Sequence, residues 1–272
     1  MSHRAQAIVL AAGRGTRMRP LTDTCPKPLL QVRGKPLMRW TLEALALGGV
    51  ARVVINTDRL GAQIEQAFGA QILNEMASFS PDKGRDQLSI SELSPAATST
   101  PLAITYSHEG RDFGAALETA GGISRALLLL DNVFWVVAGD VFAPDFQFAE
   151  SAVQAFKASG HLAHLWLVPN PDHNPQGDFG LAAHGLALNL PKDAAGPRFT
   201  YSTIGLYRAK LFGPPFCDIA PGNPQGIKAA LAPLLRTAMD QGRVSAQMYT
   251  GRWADVGTPQ RLRALNQGEN GQ

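Results

Sequence analysis

Short apolar runs alternate with helical stretches along most of this chain, and that alternation constrains the fold more than any other feature. Residues 6–10, "RVVIN" (52–56), "LAITY" (102–106), "VFWVVAGD" (133–140) and "HLAHLWLV" (161–168) are too short for helices and rich in β-branched or aromatic residues. Each predicts a buried strand. Between them, "PLMRWTLEALAL" (36–47), "LGAQIEQAF" (60–68) and "LETAGGISRALLLL" (117–130) have helical spacing, the last despite its paired glycines. Strands alternating with helices imply an α/β fold with a mostly parallel central sheet and helices on both faces. Farther on, 198–208 reads as a strand or hairpin arm, and 227–242 as a helix with Pro233 inside it. The last helix is 258–267, with Thr258 as N-cap and Pro259 at its first position.

The length of 272 residues suits one α/β domain or two small ones. The even run of strands and helices favours a single domain over 1–272, interrupted by a long inserted loop at about 74–101 that is rich in Ser, Thr and Pro. There is no repeat and no hexapeptide periodicity. No apolar run approaches the ~18 residues of a membrane span, and the first residues do not read as a signal peptide. Two cysteines do not make a disulfide framework. The expectation is a cytoplasmic protein with no membrane partner. Nothing in the sequence sets its oligomeric state.

Charge is unevenly placed. Residues 1–42 hold eight Lys/Arg and one acid, Asp23, for a local +7, whereas the remainder carries −4. A nucleic-acid surface more often spreads its cations along a face with aromatics between them. Cations packed beside a glycine turn suit a small, highly anionic ligand, and no nucleic-acid partner is expected.

That turn is "IVLAAGRGTRMRPLTDTCPKPLL", residues 8–30. The P-loop pattern is absent, and a dinucleotide fingerprint would need glycine where Met18 stands. What remains is a strand, a Gly-x-Gly-Thr-Arg turn and a lysine between prolines. Glycines let backbone N–H groups approach a phosphate, Arg17 can grip two oxygens, and Lys27 supplies a point charge. Asp140 follows an apolar run and Gly139, at a strand end where open α/β sheets place ligands. Asp255, in "RWADVGTPQRL", also precedes a glycine turn and a helix start. Two such carboxylates could share Mg²⁺ with substrate phosphates. His161 and His164 are three apart on the expected strand, so they face opposite ways and cannot chelate together. Cys25 lies among basic residues that could lower its pKa, but no histidine accompanies it and a catalytic thiol is disfavoured. Trp40 and Trp135 read as core.

"LAAGRGTRMRPLT…CPKPLL", "AGDVF" and "RWADVGT" together resemble the signature of sugar-1-phosphate nucleotidyltransferases. Within them, "ALETAGGI", "QGDFGL" and "LAPLLRTAM" bring the chain nearest to the short N-acetylmuramate-1-phosphate uridylyltransferases of cell-wall recycling. The resemblance covers nearly everything except 74–101. It implies a Rossmann-like nucleotidyltransferase fold, a Mg²⁺ cofactor, and a nucleoside triphosphate and a sugar 1-phosphate as substrates. By position it assigns Gly15, Thr16, Arg17 and Lys27 to the phosphates. It assigns the backbone of Ala11, Ala12 and Gly13 to the base, and Glu118, Thr119 and Gly121 to the nucleoside. Asp178 falls to the sugar and Asp140 with Asp255 to the metal, so that Arg17, Lys27 and Asp140 form the catalytic set. The chain departs from its relatives in Ala138, where asparagine is usual, and in the longer segment "GRDFGAALETAGG". UTP with N-acetylmuramate 1-phosphate is the implied pair. Alternatives are glucose 1-phosphate with dTTP, mannose or heptose 1-phosphate with GTP, or a non-catalytic nucleotide sensor. A lactyl carboxylate would call for a cation, for which the later half offers Arg198, Arg208 and Lys228.

Overall fold

The computed structural model describes residues 4–72, 101–191, 194 and 196–268. Its strands are β1 (Gln6–Leu10), β2 (Gln31–Val32), β3 (Lys35–Pro36), β4 (Arg52–Thr57), β5 (Gln71–Ile72), β6 (Leu102–His108), β7 (Val133–Ala138), β8 (Val141–Phe142), β9 (Ala163–Val168), β10 (Phe179–Leu181), β11 (Ala187–Leu188), β12 (Arg198–Arg208), β13 (Val244–Met248) and β14 (Ala254–Asp255). Its α-helices are α1 (Leu37–Leu47), α2 (Gly61–Phe68), α3 (Glu109–Phe113), α4 (Glu118–Ala126), α5 (Glu150–Ala158), α6 (Leu231–Asp240) and α7 (Pro259–Gln267).

The main sheet runs β11-β10-β12-β7-β1-β4-β6-β5, and β9 joins it through β12 and carries β13. Its centre is parallel: β1 lies between β4 and β7, and β6 flanks β4. Beyond that centre β12 pairs antiparallel with both β7 and β9 and shifts register between Tyr201 and Gly205.

Alternate residues of the central strands feed two separate cores. Ala7, Val9, Val53, Ile55, Trp135 and Val137 pack on one face with α1, α2 and α5. Ile8, Val54, Phe134 and Val136 pack on the other with α4 and α6. Burial on both faces is why these strands read as continuous apolar runs rather than alternating ones. Each such large side chain contributes on the order of 1.5–3 kcal/mol.

Two helical irregularities have local causes. The paired glycines of α4 lie where other chain segments approach. A Cβ at Gly121 would meet the Ile227 carbonyl oxygen at 2.5 Å, and one at Gly122 the Glu109 carboxylate at 2.4 Å. Helix α6 begins at Leu231, not at 227, so Pro233 falls in its first turn, where no intrahelical donor is needed. Thr258 caps α7 as expected, accepting the Arg261 N–H at 3.3 Å.

The insertion expected at about 74–101 lies, apart from Pro101, outside the described residues. Its flanks are described: β5 and β6 are antiparallel, with Ile72 opposite Leu102. Directly opposed residues are about 5 Å apart, a span that a short turn closes. Replacing 74–100 with a Gly-containing turn is therefore expected to leave the melting temperature within a few degrees of the parent. A large drop, or insoluble protein, would show that the insertion is packed.

Candidate active site

The C-terminal ends of β1, β4, β6 and β7 open on one cavity of about 650 Å³. Ala11, Ala12, Gly13, Lys27, Glu118, Thr119, Asp140 and Asp178 all line it. A side cavity of about 290 Å³ is bounded by Arg17, Asp140, His173 and Asp255.

Lys27 is held in a 3₁₀ turn, Lys27–Leu29, and its side chain is 9% exposed. Its ammonium donates to Asp140 Oδ2, and the Asp140 side chain is 38% exposed. A third small core fixes this arrangement. Met18, Phe142 and Val256 are all buried in it with Leu30, Val32 and Leu262, and each lies within two residues of Arg17, Asp140 or Asp255. Met18, which breaks the dinucleotide fingerprint, is fully buried here. The strand pair β14–β8 sets Asp255 opposite Val141, and the Val256 amide donates to the Asp140 carbonyl at 3.0 Å. Two aspartates 115 positions apart are thus brought to one cavity.

Asp255 is only half satisfied. Its Oδ2 accepts from Arg261 Nη1 at 2.8 Å and lies 3.2 Å from His173 Nε2. Its Oδ1 is buried and has no hydrogen-bond partner. A lone buried carboxylate oxygen is costly unless something fills its lone pairs. Arg17 lies on the same cavity and is exposed, with no carboxylate partner among the described residues. Among the described residues no group of three or more His, Cys, Asp or Glu is placed to hold a metal ion. Two hard oxygen donors, one of them orphaned, suit an ion that completes its shell with phosphates and water.

A buried relay supports the strand ends. Asn56, at the end of β4, accepts the Ala11 N–H through Oδ1 at 2.6 Å and donates Nδ2 to Glu109 Oε1 at 2.6 Å. Glu109 Oε2 accepts the Leu117 N–H at 2.7 Å. Glu109 is completely buried, and burial pushes its carboxyl up, against the Leu117 and Asn56 contacts that favour its charge. One carboxyl thereby links β1, β4 and the entry to α4. Glu118 follows with φ 60, a left-handed backbone unusual for a non-glycine residue.

The remaining expected residues divide. Asp178 is held by the Tyr201 N–H at 2.8 Å and by Asn174 Nδ2 at 3.2 Å. Gly15 has φ 60, and its carbonyl accepts from Met18 N and Thr22 Oγ1, so its role visible here is to make the turn. Thr16 is exposed and opens the 3₁₀ turn Thr16–Met18. Gly121 faces the 227–229 backbone rather than the cavity. The Ala11 amide is taken by Asn56, so a ligand meets that residue through other atoms. Burial raises the Cys25 thiol pKa, the reverse of what its basic neighbours suggested. His161 precedes β9, while His164 lies within it, 2.9 Å from Ser245 Oγ, and is pushed down to about 4 by burial.

The nucleotidyl transferase family model matches residues 6–270. The chain belongs to the nucleotidyl transferase family. It is 42% identical over 260 residues to the N-acetylmuramate alpha-1-phosphate uridylyltransferase of Neisseria meningitidis serogroup B, covering 95% of both chains. It is 30% identical to the enzyme of the same name from Caulobacter vibrioides, over 93% of this chain and 92% of that one. The glucose-1-phosphate thymidylyltransferase of Streptomyces griseus is 29% identical over 93% of this chain and 62% of its own length. Among solved structures, the UTP-bound UGPase of Acinetobacter baumannii superposes with a TM-score of 0.67 at 16% identity, over 98% of this chain and 93% of that one. That likeness shows the shared fold.

Within this nucleotidyl transferase framework, sequence reasoning missed Asn56, Glu109 and Arg236, which all line the main cavity. The signal for Asn56 was available, since it is a polar residue closing an apolar strand, the same feature that singled out Asp140.

Proposed function

We propose that this chain, acting as a single domain, transfers the uridylyl group of UTP to N-acetylmuramate 1-phosphate and releases pyrophosphate. The observation that carries the reading is one cavity that joins the strand-end turn at Ala11–Gly13, the Lys27–Asp140 pair and Asp178. Identity to the meningococcal uridylyltransferase over 95% of both chains supports the choice of UTP and muramate.

A sugar-phosphate oxygen attacks the α-phosphorus in line, and the bond to the pyrophosphate oxygen breaks. The attacking oxygen is already anionic near neutral pH, so no general base is required. Catalysis is positioning and charge neutralisation. Lys27, held by Asp140, presents its ammonium at the reacting centre. Arg17 faces the departing pyrophosphate. Asp178, fixed by Tyr201 and Asn174, accepts from sugar hydroxyl or amide groups. Asp140 and Asp255 would hold Mg²⁺, which when bound supplies further positive charge against the phosphates.

No helix of the described chain is long and apolar enough to cross a membrane. A reaction that draws on UTP belongs in the cytoplasm, and on this reading it serves the reuse of cell-wall sugar. Pyrophosphate release over a matrix of four nucleoside triphosphates and several sugar 1-phosphates tests the reading. UTP with N-acetylmuramate 1-phosphate should give the highest kcat/KM. Preference for dTTP with glucose 1-phosphate, or for GTP with a mannose or heptose phosphate, would replace it. Nucleotide binding without pyrophosphate release under any pairing would make the chain a sensor.

A further inference from the structure

Arg198, Arg208 and Lys228, the three cations singled out from the sequence, do not meet the requirement of an acidic sugar. Arg208 donates to the carbonyls of Phe156, Lys157, Ser159 and His161 and so closes the end of α5. Lys228 is exposed and lines none of the cavities described above. Arg198 lines a further cavity of about 260 Å³ and donates to the carbonyls of Leu190 and Pro191.

Arg236 is placed differently. It is half-buried on α6 and lies on the wall shared by the main cavity and this 260 Å³ recess, as Asp178 does. Its guanidinium stacks over the Phe179 ring, 5.2 Å from the centroid. Its Nη1 donates to Asn189 Oδ1 at 2.6 Å. Asn189 is itself locked, because its Nδ2 donates to both carboxylate oxygens of Asp240 at 3.0 and 3.1 Å. Among the described residues no carboxylate lies within 4 Å of the guanidinium. The cation is therefore oriented on two sides by neutral groups and makes no salt bridge among the described residues, on the cavity wall it shares with the residue assigned to the sugar.

We infer that Arg236 forms a carboxylate subsite that recognises the lactyl acid of the sugar. The inference rests on the muramate reading above. A guanidinium offers a planar fork matched to a carboxylate. Stacking on Phe179 and the Asn189 contact fix that fork in advance, so little side-chain entropy is lost when the acid binds. Asp178 cannot serve, since a second carboxylate would repel the acid. It and Arg236 thus divide the sugar between them, neutral groups to one and the acid to the other.

The test is a cycle of substrate and protein changes. Wild type, Arg236→Met and Arg236→Lys are assayed with N-acetylmuramate 1-phosphate and with its neutral lactamide. Wild type should prefer the acid by roughly thirtyfold or more in kcat/KM. Arg236→Met should reduce that preference to about threefold or less, mostly through KM, and Arg236→Lys should fall between, because it keeps the charge and loses the fork. Should the methionine variant misfold, the lysine variant still reads the outcome. A wild type that uses muramate 1-phosphate, with variants that keep its preference for the acid, overturns the subsite alone. A wild type that does not turn over muramate 1-phosphate overturns both the subsite and the proposed function.

Discussion

Replacing Lys27 with methionine is expected to reduce kcat by roughly 10²–10³, about 3–4 kcal/mol of lost transition-state stabilisation, and to leave the protein folded. The two parts have separate origins. The Lys27 side chain is almost fully buried on the wall of the cavity, where low dielectric makes a preorganised charge worth more than it is in water. Its partner Asp140 is 38% exposed, so losing the lysine leaves a carboxylate that water can still reach, and the stability cost stays near that of a partly exposed ion pair. Methionine fills much of the vacated volume between Pro26 and Pro28. Pyrophosphate release and a thermal melt measure the two effects. A variant within threefold of wild type in kcat would remove Lys27 from the reacting centre. A collapsed melting temperature would make the ion pair structural instead.

The second large effect concerns the two aspartates. Asp140→Asn and Asp255→Asn should each lower activity by about 10² or more and raise the Mg²⁺ concentration needed for half-maximal rate. Each replacement keeps the side-chain shape and one carbonyl oxygen but removes the charge. If both hold one ion, the second mutation has little left to destroy, and the double variant should be no more than about tenfold worse than the weaker single. Two independent roles would multiply the losses. Asp255→Asn also weakens the contact with Arg261 and His173, so its melting temperature must be read alongside. The metal titration separates that structural cost from the loss of ligand charge.

Much of this was legible in the sequence because the central strands obey local rules. Runs such as Val133–Ala138 are apolar on both faces, and helix spacing, Thr258 and Pro259 mark their own boundaries. Asp140 could be picked out because it ends an apolar run just after Gly139, and Asp255 because it stands just before a glycine turn, though their convergence needed the β8–β14 pairing, which spacing does not encode. What stayed hidden were contacts set by long-range packing. Glu109 looks like a solvated loop acid next to Gly110 and Arg111, and only the approach of Asn56 and Leu117 makes it a buried linker. Arg236 looks like the polar face of an amphipathic helix until Phe179 and Asn189 are brought against it. The antiparallel direction of β12 stays open in the sequence, between a strand and a hairpin arm, since an extended run reads alike in either sense.

The Glu109 carboxylate also bears on how the segment between β6 and α4 is held. Because Glu109 accepts the Leu117 amide, residues 110–116 leave and return at a single clasp. Their number is decoupled from the spacing between β6 and α4. Glu118 and Thr119 inherit their positions from the clasp and not from the path that precedes them. A change of length on the rim of this segment can therefore leave Glu118 and Thr119 in place on the cavity wall.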